Sequence, residues 1–250
     1  MAFGVADAYG RFMGRFAEPL AAQLVELAGV RPGQRALDVG CGPGALAAQL
    51  VQRLGAEHVS AVDPSPGFVA AAAERLPGAD VRAAAAEGLP HADATFDVVL
   101  AQLVVHFMTD PVAGLTEMAR VTRPGGTVGA SVWDIAGGRS PMSVFWTAVR
   151  DLDPGAPDES QLAGTRRGHL AELLRRAGLE PSVDTELTVR VRYASFDEWW
   201  EPYTLGVGPA GDHVAGLDER SRRRLRERCE QLLPAPLVVP ATAWCALAVV

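Results

Sequence analysis

Ala36-Leu-Asp-Val-Gly-Cys-Gly-Pro-Gly-Ala-Leu46 is the segment on which the fold turns. Arg35–Val39 reads as a short buried strand, Gly40-Cys-Gly-Pro-Gly44 as a tight turn, and Ala45–Leu54 as an Ala/Leu-rich helix. Glycine at alternate positions between a strand and a helix lets backbone approach a ligand closely, and the helix start leaves N–H groups pointing outward. His58–Val62 then reads as a second strand, with Asp63 at its carboxyl end and a helix from Ser65 to Leu76 behind it. An acid in that place accepts hydrogen bonds from ribose hydroxyls in nucleotide-type sites. The same Asp63-Pro64-Ser65 also fits a tight turn with a helix cap.

Working outward, Asp80–Ala83, Thr95–Ala101 and Gly126–Val132 read as three more strands, with a helix from Pro111 to Thr122 before the last. Strands alternating with helices predict an α/β fold with a parallel sheet covered on both faces. Upstream, Phe12, Phe16, Leu20, Leu24 and Leu27 recur at helical spacing and predict a leading helix over 8–28. Downstream, 134–165 is richer in Gly, Pro and Asp and reads as an excursion over the sheet edge. A helix over Gly168–Ala177 and a strand over Thr185–Tyr193 follow. In that strand Leu187, Val189 and Val191 alternate with Thr188, Arg190 and Arg192, as on an antiparallel edge. The segment 195–234 is a second excursion, and Ala243–Val250 is the final strand. The expectation is a single domain over 1–250: a lid helix at 1–29, a core at 30–133, and insertions at 134–165 and 195–234 that roof a ligand site.

Composition narrows the chemistry. All 23 basic residues are Arg, and neither Lys nor Asn occurs. Schiff-base chemistry, a Walker lysine and a lysine general base are thereby excluded. With a single Ile at Ile135, the pattern reads as a GC-rich genome rather than as selection for function. A net charge of −7 disfavours phosphate-backbone binding. The six Arg between Arg220 and Arg228 read as the solvated face of a helix, so nucleic acid is not an expected partner. Cys41, Cys229 and Cys245 are too scattered for a disulfide framework or a zinc cluster, and no metal site is expected. No signal-peptide pattern opens the sequence and no run of 18 apolar residues occurs. A cytoplasmic protein away from membranes, monomer or homodimer, is the expectation.

Two ligands use a strand–glycine loop–helix–strand–acid unit: a dinucleotide and S-adenosylmethionine. Asp38, two residues before Gly40, would repel a pyrophosphate and attract a cationic amino-acid end. A nicotinamide fingerprint would also place Gly at position 45, where Ala45 stands, although Ala is tolerated there.

The ordered series Ala36–Leu46, Val62-Asp-Pro-Ser65, Ala86-Glu-Gly-Leu-Pro90, Thr95-Phe-Asp-Val98 and Arg120-Val-Thr-Arg-Pro-Gly-Gly126 resembles the motifs of class I S-adenosylmethionine-dependent methyltransferases. The ubiquinone/menaquinone-methyltransferase-like (type 11) small-molecule group is the nearest. The resemblance covers about residues 30–133. It implies a Rossmann-like, seven-stranded, mostly parallel sheet with an antiparallel last strand, helices on both faces and helical lid insertions. It implies S-adenosylmethionine as cofactor and S-adenosylhomocysteine as product. By the same resemblance, Gly40, Cys41 and Gly42 would line the methionine end, with Asp38 and Arg15 near its amino and carboxylate groups. Asp63 would hold the ribose, Pro64 would lie beside the adenine, and Ala86 and Glu87 would meet the adenine edge. Gln102 and Leu103 would flank the sulfonium. The family usually has Asp where this chain has Ala85.

For the acceptor, His106 is the candidate general base, because it follows the fourth strand at the ligand-binding edge of the sheet; the alternative is a histidine bonded to backbone. His58, His91, His169 and His213 read as exposed. Trp133, Tyr9, Phe12 and Met13 are candidates for the acceptor wall. Trp199, Trp200 and Tyr203 are either lid aromatics over the acceptor or core of the lid itself. Absence of Asn removes the Asn form of the Asn/Asp-Pro-Pro-Tyr amino-methylation motif, Gln102-Leu-Val-Val105 is not its Asp form, and no Pro-Cys nucleophile exists for cytosine chemistry. Methyl transfer to O, N or C of a small molecule is the expected reaction. The alternatives are a nicotinamide-dependent oxidoreductase and a cofactor-binding protein without catalysis.

Overall fold

The computed structural model describes residues 10–156, 159–206, 208–233 and 235–250. Seven strands form one sheet: β1 Ala36–Val39, β2 Val59–Asp63, β3 Asp80–Ala83, β4 Phe96–Gln102, β5 Thr122–Trp133, β6 Pro181–Arg192 and β7 Val238–Val249. Their order is β3-β2-β1-β4-β5-β7-β6, with β7 antiparallel to both neighbours and the pairs within β3–β5 parallel. This is the doubly wound sheet expected from the alternation of strands and helices.

Strand β1 is buried at every position because helices cover both of its faces, which is why Ala-Leu-Asp-Val shows no alternation. The C-terminal strand, 12 residues long, starts at Val238 rather than 243, since Ala, Cys and Thr pack on both of its faces and blur the sequence signal. Strand β6 keeps the predicted alternation, Val189 and Val191 inward and Arg190 and Arg192 outward. The excursion at 134–165 contains a helix, Ser143–Leu152, that the Gly/Pro-rich flanks conceal in the sequence. A π-turn at Gly10–Gly14 precedes the leading helix Arg15–Leu27.

Two of the sequence motifs act as braces. Asp97 accepts from Arg35 N–H (2.7 Å) and pairs with Arg123 (2.9 Å), tying β4 to the start of β1 and to β5. Arg120 donates to Glu117, Asp93, Leu89 O and His91 O, fastening the loop after β3 to the helix Pro111–Val121. His91 is half-buried by this arrangement, edge-on to Phe96 at 5.0 Å, instead of exposed. His58, His169 and His213 are likewise half-buried.

Candidate functional site

The strand order reverses direction between β1 and β4, and a cleft opens there at the carboxyl ends of the strands, where ligands of such sheets bind. The loop after β1 forms its floor. Gly40 N–H and Cys41 N–H both donate to Val62 O (2.8 and 2.9 Å), which ties the loop to β2. Gly40 and Gly42 have φ of +71° and +52°, a conformation that a side chain disfavours. The two glycines serve different ends. A Cβ at Gly40 would lie 2.3 Å from Cγ2 of Val104, so packing of the loop after β4 requires it; at Gly42 a Cβ would meet nothing within 4 Å and would stand in the cleft.

Asp38 is 1 % exposed. Its Oδ2 accepts from Ala47 N–H (2.9 Å), while Oδ1 is buried with no donor. Burial pushes its pKa up to about 8, with the Ala47 bond opposing and the Asp63 charge adding. An unsatisfied buried acceptor lining a cleft is costly unless a ligand supplies the donor, and an adjacent cation restores the carboxylate. Asp63 forms the tight turn after β2 and also faces the cleft. Its Oδ1 accepts from Ser65 N–H (2.8 Å) and its Oδ2 from Gly42 N–H (2.9 Å), while the carboxylate lines the cleft. Burial raises its pKa too. Gln102 donates from Nε2 to Ala17 O (3.1 Å), pinning the leading helix over the cleft, and its Oε1 is buried without a donor. Leu103 takes φ +61° and donates its N–H to Ser131 O (2.8 Å), turning the chain back toward the cleft. Cys41 lines the same floor, its thiol pushed up by burial.

Seven expected cofactor residues thus meet in one cleft: Asp38, Gly40, Cys41, Gly42, Asp63, Gln102 and Leu103. Four do not line it. The Arg15 guanidinium is taken by Glu198 (2.7 Å) and Arg192 O (2.9 Å) and lies over the Tyr193 ring, so it fastens the leading helix to the lid. Pro64 is exposed outside the lining. Ala86 is buried against the helix Pro111–Val121, and Glu87 accepts from Asp110 N–H (3.1 Å).

His106 lies outside the lining as well. Its ring meets that of Phe107 at 3.9 Å with a 40° tilt, its Nδ1 is buried without a partner, and burial alone lowers its pKa to about 4. The imidazole is therefore neutral near pH 7, but it does not face the cleft in which a reacting group would sit. Trp133 is buried beside Phe16, its indole N–H unpartnered. Trp199, Trp200 and Tyr203 form the interior of the lid with Phe145, and Phe12 and Met13 join that cluster from the leading helix. Tyr9 lies outside the described residues. The cleft also contains Ala17, Phe68, Val104 and Phe107, which the sequence reading passed over. Phe107, beside the histidine already singled out, is the one that a closer look at the loop after β4 could have found.

The profile of the type 11 family, a methyltransferase domain, matches residues 37–129. A ubiquinone biosynthesis O-methyltransferase from Cereibacter sphaeroides is 37 % identical over 159 residues, covering 60 % of this chain and 61 % of that protein. The chain spans 40 to 61 % of the length of the curated relatives it matches. Among solved structures, a methyltransferase-like protein from Bacillus halodurans superposes with TM-score 0.60 at 16 % identity, covering 92 % of this chain and 97 % of that one. The [4+2]-cyclase SpnF superposes equally well, TM-score 0.60 at 22 % identity, over 93 and 80 % of the two chains. Sheet order and ordered motifs agree with that profile: residues 37–129 match a methyltransferase domain, within a seven-stranded sheet whose fold the chain shares with these solved structures.

Proposed function

We propose that the protein transfers the methyl group of S-adenosylmethionine to O, N or C of a small-molecule acceptor. One observation carries the reading: a fully buried carboxylate, Asp38, presents an oxygen without a donor to a cleft floored by Gly40-Cys41-Gly42. That arrangement fits the ammonium of a methionine moiety and opposes a dinucleotide pyrophosphate. When bound, the cofactor supplies an activated methyl group on a positively charged sulfur leaving group. Asp38 binds the ammonium, Asp63 the ribose hydroxyls, and Gln102 holds the leading helix against the cleft. Cys41, Leu46 and Leu103 exclude water around the reacting end. Holding donor and acceptor in line is the main contribution to rate, roughly 7–11 kcal/mol where orientation is good. His106 contributes no base in this arrangement. No helix among the described residues is long and apolar enough to cross a membrane.

Calorimetric titration with S-adenosylhomocysteine tests the cofactor. Saturable heat is expected; no heat at millimolar ligand with folded protein overturns the reading. The [4+2]-cyclase of the same fold favours a second reading, in which the cofactor is bound but no methyl group is transferred. Formation of S-adenosylhomocysteine dependent on an added acceptor separates the two.

A further inference from the structure

The two edges of the sheet differ. At one edge β3 runs for only four residues, and so short a strand offers little ladder to another chain. At the other, β6 runs for 12 residues, and no further strand among the described residues pairs with it. In an antiparallel ladder, alternate residues turn both backbone groups toward the neighbouring strand. Tyr193 N–H donates to Leu237 O on the β7 side, whereas Thr188 O and Arg192 O are met by Gln23 Nε2 (3.2 Å) and Arg15 (2.9 Å) from the leading helix. The even-numbered residues of β6 therefore turn their N–H and C=O groups to the open edge. A carbonyl that holds one side-chain bond keeps a second lone pair for another N–H.

The same residues read, in order, Asp184, Glu186, Thr188, Arg190 and Arg192. Period-two spacing sets them on one face of the strand, and the four charged ones are exposed. An edge guarded against association carries charges that repel a second copy. Here the sign reverses at the midpoint. The exposed Arg11, Arg166 and Arg175 each meet a carboxylate, yet Asp184 and the guanidinium groups of Arg190 and Arg192 have no partner among the described residues. Glu186 meets Arg139 (2.8 Å). If β6 lies antiparallel to itself about a two-fold axis at Thr188, Asp184 faces Arg192 of the partner subunit and Glu186 faces Arg190 of the partner subunit, each pair formed twice. Opposite charges directly across a ladder are favourable and like charges are not. Parallel self-pairing sets Asp184 against its own copy, and a slip of two residues in either direction leaves half of these charges without an opposite.

We propose that the protein forms a two-fold homodimer by antiparallel pairing of β6 with β6 of a second copy, centred on Thr188, so that two sheets join into one. The occupant of the edge is a second copy because the charge order of the strand is its own complement when reversed, the self-complementarity that an isologous contact requires. An edge meant for an unrelated strand has no need of that symmetry.

Analytical ultracentrifugation of the full chain tests this. A concentration-dependent monomer–dimer equilibrium is expected between about 1 and 100 μM, the range of a small polar interface. Reversing the acidic half, Asp184→Arg with Glu186→Arg, or the basic half, Arg190→Glu with Arg192→Glu, sets like charges across the ladder, and each variant is expected to stay monomeric at about 100 μM. Mixed in equal amounts, the two variants are expected to form a heterodimer with a dissociation constant within about tenfold of the wild-type value. Register is read by cross-linking, since the native cysteines among the described residues are buried. Thr188→Cys sets two thiols on Cα atoms about 5.5 Å apart and is expected to give a covalent dimer with a short bifunctional thiol reagent. Ser182→Cys sets them about 40 Å apart and is expected to give none. A wild-type protein that is monomeric at about 100 μM overturns the proposal, as does a dimer that both charge-reversed variants retain. Failure of the mixed variants to associate, while circular dichroism shows each folded, also overturns it, and a covalent dimer through Ser182→Cys in place of Thr188→Cys overturns the register.

Discussion

The cleft and the lid are built on opposite terms. In the cleft, Asp38 Oδ1 and Gln102 Oε1 lack donors, Gly42 faces open space and Phe107 stands in water. In the lid, the rings satisfy one another. Phe145 stacks on Tyr203 at 4.6 Å and 7°, meets Trp146 edge-on at 5.1 Å, and Tyr203 in turn meets Phe12 at 4.8 Å. Its charges are paired outward as well, Arg15 with Glu198, Arg11 with Glu201 and Arg226 with Asp197. Completion of the cleft thus falls to a ligand, while the lid, apart from the buried and unpartnered indole N–H of Trp146, is held by its own rings and ion pairs. Binding and stability should therefore separate by region when residues are changed.

The largest stability effect is expected in the lid. Phe145 is fully buried among four other rings, and Phe145→Ala should cost about 3–5 kcal/mol. Denaturant melts should show this loss while S-adenosylhomocysteine affinity at a temperature where the variant stays folded is unchanged. An affinity that falls in step with stability would break the separation. Inside the cleft the two glycines sharpen it. Gly40→Ala drives a Cβ into Val104 and should cost about 1–3 kcal/mol of stability. Gly42→Val places a Cβ with no atom within 4 Å, adds about 1–2 kcal/mol of backbone strain, and should abolish ligand heat by filling the cleft. Equal unfolding midpoints for Gly40→Ala and wild type would show that Val104 yields, and retained heat in Gly42→Val that the ligand lies elsewhere.

Asp38 links the cleft to pH. Burial raises its folded pKa to about 8 from the ordinary 3.8, so between those values the folded empty protein holds a proton that the unfolded chain has released. Its contribution to stability is therefore present in acid and is lost as pH rises through that window. Asp38→Asn, which keeps an acceptor for Ala47 N–H, should flatten this slope and weaken S-adenosylhomocysteine by about 10- to 100-fold, as for loss of a charge-assisted bond. In wild type, an ammonium arriving at Asp38 should expel the proton, so binding heats near pH 7 should differ between buffers of different ionisation enthalpy. Identical heats in the two buffers would mean that Asp38 is already ionised in the empty cleft.

The strand–loop–helix unit and the acid after β2 were legible because backbone geometry dictates their residue types: glycine where φ is positive, Asp where N–H groups converge. Cys41, Gln102 and Leu103 were reached only through the resemblance to the family motifs, and Leu103 takes φ +61° without being glycine. Arg15 was misread because a charge on a helix can reach in two directions, and Glu198, far along the chain, decides which. Trp199, Trp200 and Tyr203 left two readings open in the sequence, since aromatic rings are equally at home over a ligand and in a core. Only the helix Ser143–Leu152, itself unread, supplies Phe145 to pack against them. Phe107 stands next to His106 in the loop after β4, so its place at the ligand edge was within reach of the sequence, whereas its exposure is a property of the fold.

His106 shows how closely the two regimes can adjoin. One residue before the exposed ring of Phe107, it is half-buried with its Nδ1 buried and unpartnered, and its pKa falls to about 4 from 6.5 through desolvation alone. A histidine with a depressed folded pKa is neutral in the fold while the unfolded chain takes up a proton, so the stability it confers is full above pH 6.5 and is lost as pH falls toward 4. His91 and His169 are lowered in the same direction, so the summed acid loss is not specific to His106. The imidazole signals of labelled histidine are specific, with His106→Gln identifying the resonance. That signal is expected to stay at its neutral position down to pH 5, and the variant to keep S-adenosylhomocysteine affinity within about threefold, the residue being outside the cleft lining. A midpoint near 6.5 would return His106 to the water-facing side and to candidacy as a general base, and would place the boundary between open cleft and closed interior one residue earlier than the structure does.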